Sequence, residues 1–498
     1  MTITNQKIDW HARRDAASAD GRAVIDGARV ASADGSSFTS VDPATARKIA
    51  EVSNCGPVDI DRAVAAARRS FATGVWSRSG AVQRKNVLLR LADLIEVHTD
   101  ELALLESMDM GKLVSESSTV DVPSAAATFR WYAELADKLT DEIAATPPGS
   151  TALVTREALG VVGAIVPWNF PLDIAAWKLA PALVMGNSVV LKPATESSLT
   201  ALLLGQLALE AGVPDGVLNV VPGPGASAGE ALALHPDVDA LAFTGSTEVA
   251  KHLLSCSARS NMKRLSLEAG GKSSNLIFSD TADLLLAAKK AAHGAYYNQG
   301  EVCSANSRIL IQDEIYDDFV AAFLEAAKAY QPGDPMSAES GAGALVSARH
   351  ADSVEKAIQQ GASAGTVLGG GERLTIGESR AYIAPAAIAD LPADHFLHRE
   401  EIFGPVAVLA RFKDEREAVE MANRTQYGLA ASVWTADLAR AHRVSSQLVA
   451  GTVSVNTVDA LGLTTPFGGF RQSGFGRDLS RHAIDNYVAI KTTWIQHG

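Results

Sequence analysis

The sequence is poor in cysteine, in positive charge and in long apolar runs, and each shortage narrows what the chain can be. Only Cys55, Cys256 and Cys303 occur in 498 residues. No CxxC pair or Cys/His cluster has metal-ligand spacing, so neither a structural zinc site nor a disulfide framework is expected. A reducing compartment, the cytoplasm by default, follows. Lys and Arg number 44 against 57 Asp and Glu, a net charge of −13. That balance lacks the basic stripe of a nucleic-acid binder. No apolar run reaches the roughly 18 residues of a membrane span. The leader MTITNQKIDWHARRDAASAD has no apolar segment of signal-peptide type and reads as polar and frayed. Repeats and low-complexity tracts are absent.

The apolar content is 47% and the charged content 20%, as in a globular protein. The length implies roughly two to four domains or subdomains. From Thr151 to Phe278 short apolar runs alternate with helical patterns. LGVVGAIV, SVVLKP, GVLNVV and DALAFTG read as strands. LDIAAWKLAPALVMGN, SSLTALLLGQLALEAG, ASAGEALALH and STEVAKHLLS read as the helices between them. This alternation predicts βαβ units and a parallel sheet. A second α/β set, with SSNLIF, RILIQ, GPVAVLARF, AASVWT and GTVSVN, runs from Gly271 to Thr457. Ala63–Met110 is mostly helical. The terminal AIDNYVAIKTTWIQ ends as a strand, a candidate intersubunit edge.

Several segments carry chemistry. In YYNQGEVCSANSRI, Cys303 stands among small and polar residues after a turn-forming glycine. It is a candidate nucleophile if a lowered pKa or a nearby base makes its thiolate; an inert buried thiol is equally compatible. Cys55 and Cys256 lack such a neighbourhood. Glu268 closes an apolar strand before Gly270-Gly271, suiting a general base with room to move, although a cap or ion-pair partner fits as well. Asn169, between Pro167 and Pro171, offers a fixed amide donor to a developing oxyanion, or an ordinary turn. VPGPGASAGEAL, with Gly223, Gly225 and Gly229, follows a strand and opens a helix. Its GxGxxxG spacing departs from the dinucleotide fingerprint. Ser246 in AFTGSTEVAK is a second candidate at a helix start. Lys192 lies at a strand end, where ligands of doubly wound sheets bind.

The stretches PWNFP, LKPA, FTGST, LEAGGKS, NQGEVC, EEIFGPV, PFGGFRQSGFGR and a terminal Y-x-x-x-K-T occur together and in order. As a set the sequence resembles the aldehyde dehydrogenase superfamily over nearly its whole length. DMGK, NMKR and the leader resemble the bacterial branch acting on aminobutyraldehydes and their glutamylated or guanidino forms. The resemblance implies an α/β fold in three parts: a Rossmann-type NAD(P)-binding domain (1–136 and 159–270), a catalytic domain (271–472), and a small β oligomerisation arm (137–158 and 473–498) joining a homodimer or homotetramer.

It also implies roles. Cys303 would attack the aldehyde, with the Asn169 amide and the Cys303 backbone N–H as the oxyanion hole. Hydride would pass to NAD or NADP, and Glu268 would activate the water that hydrolyses the thioester. Lys178 and Asp478 would relay protons, Asp478 replacing the family's more frequent Glu. Lys192, Thr195, Glu196, Gly225, Gly229, Gly245 and Ser246 would hold the adenosine and pyrophosphate. Glu401 and Phe403 would hold the nicotinamide ribose, with Ile165, Pro167, Trp168, Phe243 and Gly270 along the same face. Phe170, Trp177, Tyr297, Val302, Ser304, Asp459, Leu461 and Phe467 would line the substrate tunnel. No metal is implied.

Two expectations rest on departures from the family pattern. The apolar loop NTVDALGLTTPFGGF predicts a medium-chain aliphatic or aromatic aldehyde, with an ω-aminoaldehyde as the alternative. Thr195 stands where NAD-preferring members carry Glu, the acid falling one residue later at Glu196, so NADP is expected to be accepted alongside NAD. A binding protein without activity would lack Cys303 or Glu268. A CoA-acylating or phosphorylating enzyme would not need Glu268.

Overall fold

The computed structural model describes residues 8–497. The expected parallel sheet is present. Its core order is Leu218–Val220, Ser188–Lys192, Val161–Ile165, Ala240–Thr244, Arg264–Glu268, all parallel. Val161–Ile165 and Ser188–Lys192 are buried throughout, hence their unbroken apolar runs. Three antiparallel strands that lack strong alternation extend the edges: Ala23–Ile25 with Ala28–Val30 on one side, and Gly474–Phe475 on the other.

In chain order these core strands run 3-2-1-4-5. The direction of winding therefore reverses between Val161–Ile165 and Ala240–Thr244, and ligands collect beyond the carboxyl ends of strands at such a point. Pro167-Trp168-Asn169 leaves one of these strands and Gly245-Ser246 the other. Ser246 caps the helix Thr247–Arg259, its hydroxyl accepting the Val249 N–H at 3.3 Å. The glycine-rich segment instead follows the third strand, Leu218–Val220, and forms a π-turn, Gly225–Gly229, before the short helix Glu230–Leu234.

A second sheet has seven strands, parallel except at its Thr366–Gly369 edge. The strands read from sequence, Ser274–Ile277, Arg308–Gln312, Val406–Phe412, Ala430–Trp434 and Thr452–Val455, form five of them. The chain passes from the first sheet to the second through the short segment between Glu268 and Ser274.

A third sheet pairs Val488–Gln496 with Ser150–Ala158, and the latter with Glu142–Ala144. Ile143, Ile490, Trp494 and Ile495 are exposed on it. The frayed leader expected from sequence is corrected from Trp10 on. A helix, Trp10–Ala16, is capped by Asp9 and tied by Arg14 to Asp334 at 3.0 Å; residues 1–7 lie outside the described residues. Among the described residues no helix is long and apolar enough to cross a membrane.

Candidate active site

A cavity of about 770 Å³ opens at the reversal point, between the two large sheets. Cys303, Glu268, Asn169 and Asp478 line it. So do Pro167, Trp168, Gly245, Ser246, Gly270, Glu401 and Phe403 on one side, and Phe170, Trp177, Tyr297, Val302, Ser304, Asp459, Leu461 and Phe467 on the other. Segments hundreds of residues apart thus meet in one volume.

Cys303 sits in a turn after the helix Leu284–Tyr296. The approach is strained: Asn298 and Gln299 both take left-handed backbone, φ 47° and 57°. Their side chains hold it there. Asn298 Nδ2 donates to the Asn169 carbonyl at 3.1 Å, and Gln299 Oε1 accepts the Gly343 N–H at 2.9 Å. Asn169 Nδ2 in turn donates to the Glu301 carbonyl at 2.8 Å. One amide hydrogen fixes the side chain and the second remains for the cavity, as an oxyanion donor requires. Asn298 was not recognised in the sequence as a positioning residue, because consecutive left-handed asparagine and glutamine leave no periodicity signal.

The paired glycines have a different use from the one read in the sequence. A Cβ on Gly271 would stand 2.4 Å from the Cys303 carbonyl oxygen, and one on Gly270 2.1 Å from Glu401 Oε2. They admit the Cys303 backbone and the Glu401 carboxylate. Space for Glu268 comes from Gly468 of PFGGF, where a Cβ would meet Glu268 Oε1 at 2.6 Å. Glu268 is buried and neither carboxyl oxygen has a hydrogen-bond partner. Burial, and then the charge of Asp478, hold it well above the usual carboxylate range, against the pull of Lys178 and Arg477.

The Cys303 thiol is likewise pushed up, by burial first and then by Asp459, Glu401 and Glu268. Of the two routes to a thiolate expected from sequence, a lowered pKa is therefore not supplied by the protein alone, which leaves a base. Cys55, pushed up to about 12 by burial, and Cys256 are buried away from the cavity.

Lys178, one residue beyond Trp177, does not line the cavity. It lies behind Asp478, in a wholly buried ion pair. Ile165 and Phe243 lie beneath the site rather than in it; the Phe243 ring packs where a Gly245 Cβ would be, 2.6 Å away. Lys192, Thr195, Glu196, Gly225 and Gly229 gather at neighbouring strand ends outside the cavity.

These residues fit a dinucleotide. Buried Lys192 spends one N–H on the Pro193 carbonyl, 2.8 Å, leaving others to give, and burial brings its pKa down to about 8. A Cβ on Gly225 would meet nothing within 4 Å, so the backbone there is open to approach. Glu401 accepts the Gly271 N–H on Oε1 at 3.0 Å and keeps Oε2 for a hydroxyl donor. Trp168 packs edge-on against Phe403 at 5.1 Å and His350 at 5.6 Å, and His350 Nε2 lies 2.6 Å from the Phe403 carbonyl. His350 was missed, being a lone histidine in a helical stretch.

Asp121, Ser124 and Asp173 also line the tunnel and were missed. Asp173 lies in the first turn of the helix Pro171–Val184, where an acid reads as a partner of the helix dipole.

A model described as the aldehyde dehydrogenase family matches residues 30–493. The chain is 48% identical over 486 residues to the NADP/NAD-dependent aldehyde dehydrogenase PuuC of Escherichia coli, covering 98% of each. Its fold superposes with a TM-score of 0.97 on the indole-3-acetaldehyde dehydrogenase AldA of P. syringae in complex with NAD+ and IAA. That pair is 47% identical over 98% of this chain and 99% of the other. The gamma-glutamyl-gamma-aminobutyraldehyde dehydrogenase of Burkholderia cenocepacia gives 0.96, at 47% identity, with the same coverage.

Proposed function

The chain belongs to the aldehyde dehydrogenase family and is an NAD(P)-dependent aldehyde dehydrogenase, and on that premise we propose how its own residues carry the reaction. The observation that supports the proposal is the meeting of Cys303, Glu268 and the tethered Asn169 amide in one cavity. The Cys303 Sγ attacks the aldehyde carbon and its proton passes to Glu268, directly or through water. The oxyanion forms against the Asn169 amide and the Cys303 backbone N–H. NAD or NADP, when bound, would supply the acceptor for the hydride that leaves the substrate carbon. Once it has released that first proton to solvent, Glu268 takes a proton from the water that attacks the resulting thioester; the C–S bond breaks, the carboxylic acid leaves and the Cys303 sulfur recovers a proton from Glu268. Lys178 and Asp478 hold Glu268 in the required range of basicity and offer its proton a way out. Lys192, Ser246, Gly225 and Glu401 hold the dinucleotide.

The sequence division into cofactor, catalytic and arm segments is retained in this proposal. The exposed apolar residues of the arm favour a homodimer or homotetramer. Three free cysteines suit a reducing compartment, and the cytoplasm is the proposed location. The aromatic walls suit the carbon chain of an aliphatic or aromatic aldehyde.

A hydrolytic enzyme makes NADH or NADPH and free acid from aldehyde without added CoA or phosphate. A strict requirement for either acceptor would turn the assignment to an acylating enzyme.

A further inference from the structure

Three carboxyl groups line the substrate side of the cavity: Asp121, Asp173 and Asp459. Two are already engaged. Asp459 accepts the Ser304 hydroxyl at 2.6 Å. Asp121 is clamped to the ammonium of Lys112, both wholly buried. Asp173 is 8% exposed; the Ser124 hydroxyl and the Trp177 indole N–H, one turn on, lie close enough to its carboxyl to pull its pKa down, yet its Oδ1 and that N–H make no hydrogen bond. A favourable helix dipole accounts for an acid at an exposed first turn. It does not account for a buried one with a free oxygen beside an open cavity, because such an oxygen carries an unreturned desolvation cost.

The wall behind Asp173 is acidic as well. Glu106 and Asp121 both reach Lys112, Glu106 Oε1 at 3.6 Å, and Glu116 is half-buried close by with one oxygen unpartnered. Two carboxyls therefore share one ammonium, which a third, Glu116, feels only as a nearby charge. Burial, helped by the charge of Asp121, brings Asp173 up to about 7, and burial brings Glu116 to about 7. Among the described residues Lys290 is the only Lys or Arg lining the cavity, and it is exposed. Phe170, Ile174 and Leu461 add apolar and aromatic surface that accepts methylenes; the Phe170 ring already carries the Lys112 ammonium on one face, 4.0 Å from its centre.

We propose that Asp173 is the specificity-determining residue of this enzyme, receiving an ammonium or guanidinium group at the end of the substrate remote from the aldehyde. The carbon chain lies along the aromatic walls, and a carboxylate at the remote end is rejected by the same acids. This rests on the reading of Cys303 as the nucleophile of that cavity.

The test compares kcat/KM for 4-guanidinobutanal, 3-aminopropanal, hexanal and 4-oxobutanoate in the native enzyme, Asp173→Asn and Asp173→Leu, with Tm as a check on folding. The native enzyme is expected to prefer the two cationic aldehydes and to use 4-oxobutanoate worst. Asp173→Asn is expected to cost the cationic aldehydes about 10- to 100-fold, the scale of one charged hydrogen bond, mostly in KM. Hexanal should change less than about threefold, and Asp173→Leu should raise it. Native preference for hexanal, or an equal fall for hexanal and the cationic aldehydes in both variants, would overturn the role of Asp173 while leaving the aldehyde dehydrogenase mechanism standing. Absence of NADH and NADPH from every aldehyde would overturn both.

Discussion

Lys178 Nζ lies 2.5 Å from Asp478 Oδ2, with both side chains out of contact with water and the second oxygen, Asp478 Oδ1, without a partner. The pair brackets Glu268 electrostatically: Asp478 raises its pKa and Lys178 lowers it. Removing Asp478 takes away a raising charge and frees a lowering one, so both effects favour the Glu268 carboxylate. Because Glu268 sits well above the usual carboxylate range, steady turnover should rise with pH beyond that range. Asp478→Asn should move the rising limb to lower pH, and Lys178→Met should move it to higher pH. Lys178→Met also leaves a buried carboxylate unpaired, a loss of about 3–5 kcal/mol that should show as a lower Tm. Limbs that coincide in all three proteins would remove the pair from the mechanism.

The fate of Cys303 separates chemistry from binding. Cys303→Ala should lose turnover to background while binding NAD with an affinity within about threefold of the native enzyme, since Lys192, Ser246, Gly225 and Glu401, proposed to hold the dinucleotide, belong to other segments. Measurable turnover in a homogeneous preparation of that variant would contradict the nucleophile assignment.

Much of this was legible beforehand because it depends on local rules. The strands Val161–Ile165 and Ser188–Lys192 announce themselves by continuous apolar runs, and Asn169, Glu268 and Cys303 stand in motifs of distinctive composition. What stayed hidden depends on approach between distant segments. The use of Gly271 is visible only once Cys303 lies against it, and the room around Glu268 only once Gly468 arrives from two hundred residues away. Asp173 and Asp121 drew no reading at all, since nothing in their own segments signals that both face one cavity. The edge strands Ala23–Ile25 and Gly474–Phe475 are too short to show alternation.

Cofactor choice turns on Thr195. Its hydroxyl donates to the Gly223 carbonyl at 3.4 Å, and Glu196 is turned towards Arg349, 4.0 Å away. Glu196 acts on Lys192 as a nearby charge but makes no hydrogen bond to it. NADP should therefore be used with a kcat/KM within about tenfold of NAD, and Thr195→Glu should shift preference towards NAD. Discrimination against NADP of several hundred-fold, roughly 3 kcal/mol, would show that Glu196 guards the ribose after all.

The arm predicts an assembly. Trp494, 58% exposed on Val488–Gln496, shares its sheet with exposed Ile143 and Ile490. Trp494→Glu should lower the mass measured by light scattering in dilute solution, by putting an unpaired charge where apolar area is buried. A native enzyme that is already monomeric at micromolar concentration would refute the arm's role.

The thioester on Cys303 is the intermediate on which the whole mechanism depends. Glu268→Gln keeps the shape of the base but not its basicity, so acylation should outlast deacylation. Mixed with hexanal and NAD, this variant should release about one equivalent of NADH per site in a burst and then turn over slowly. Denaturing mass spectrometry of the quenched mixture should show the mass of one hexanoyl group, carried by the peptide containing Cys303. A burst with no covalent adduct, or an adduct on any residue other than Cys303, would contradict the mechanism at its centre.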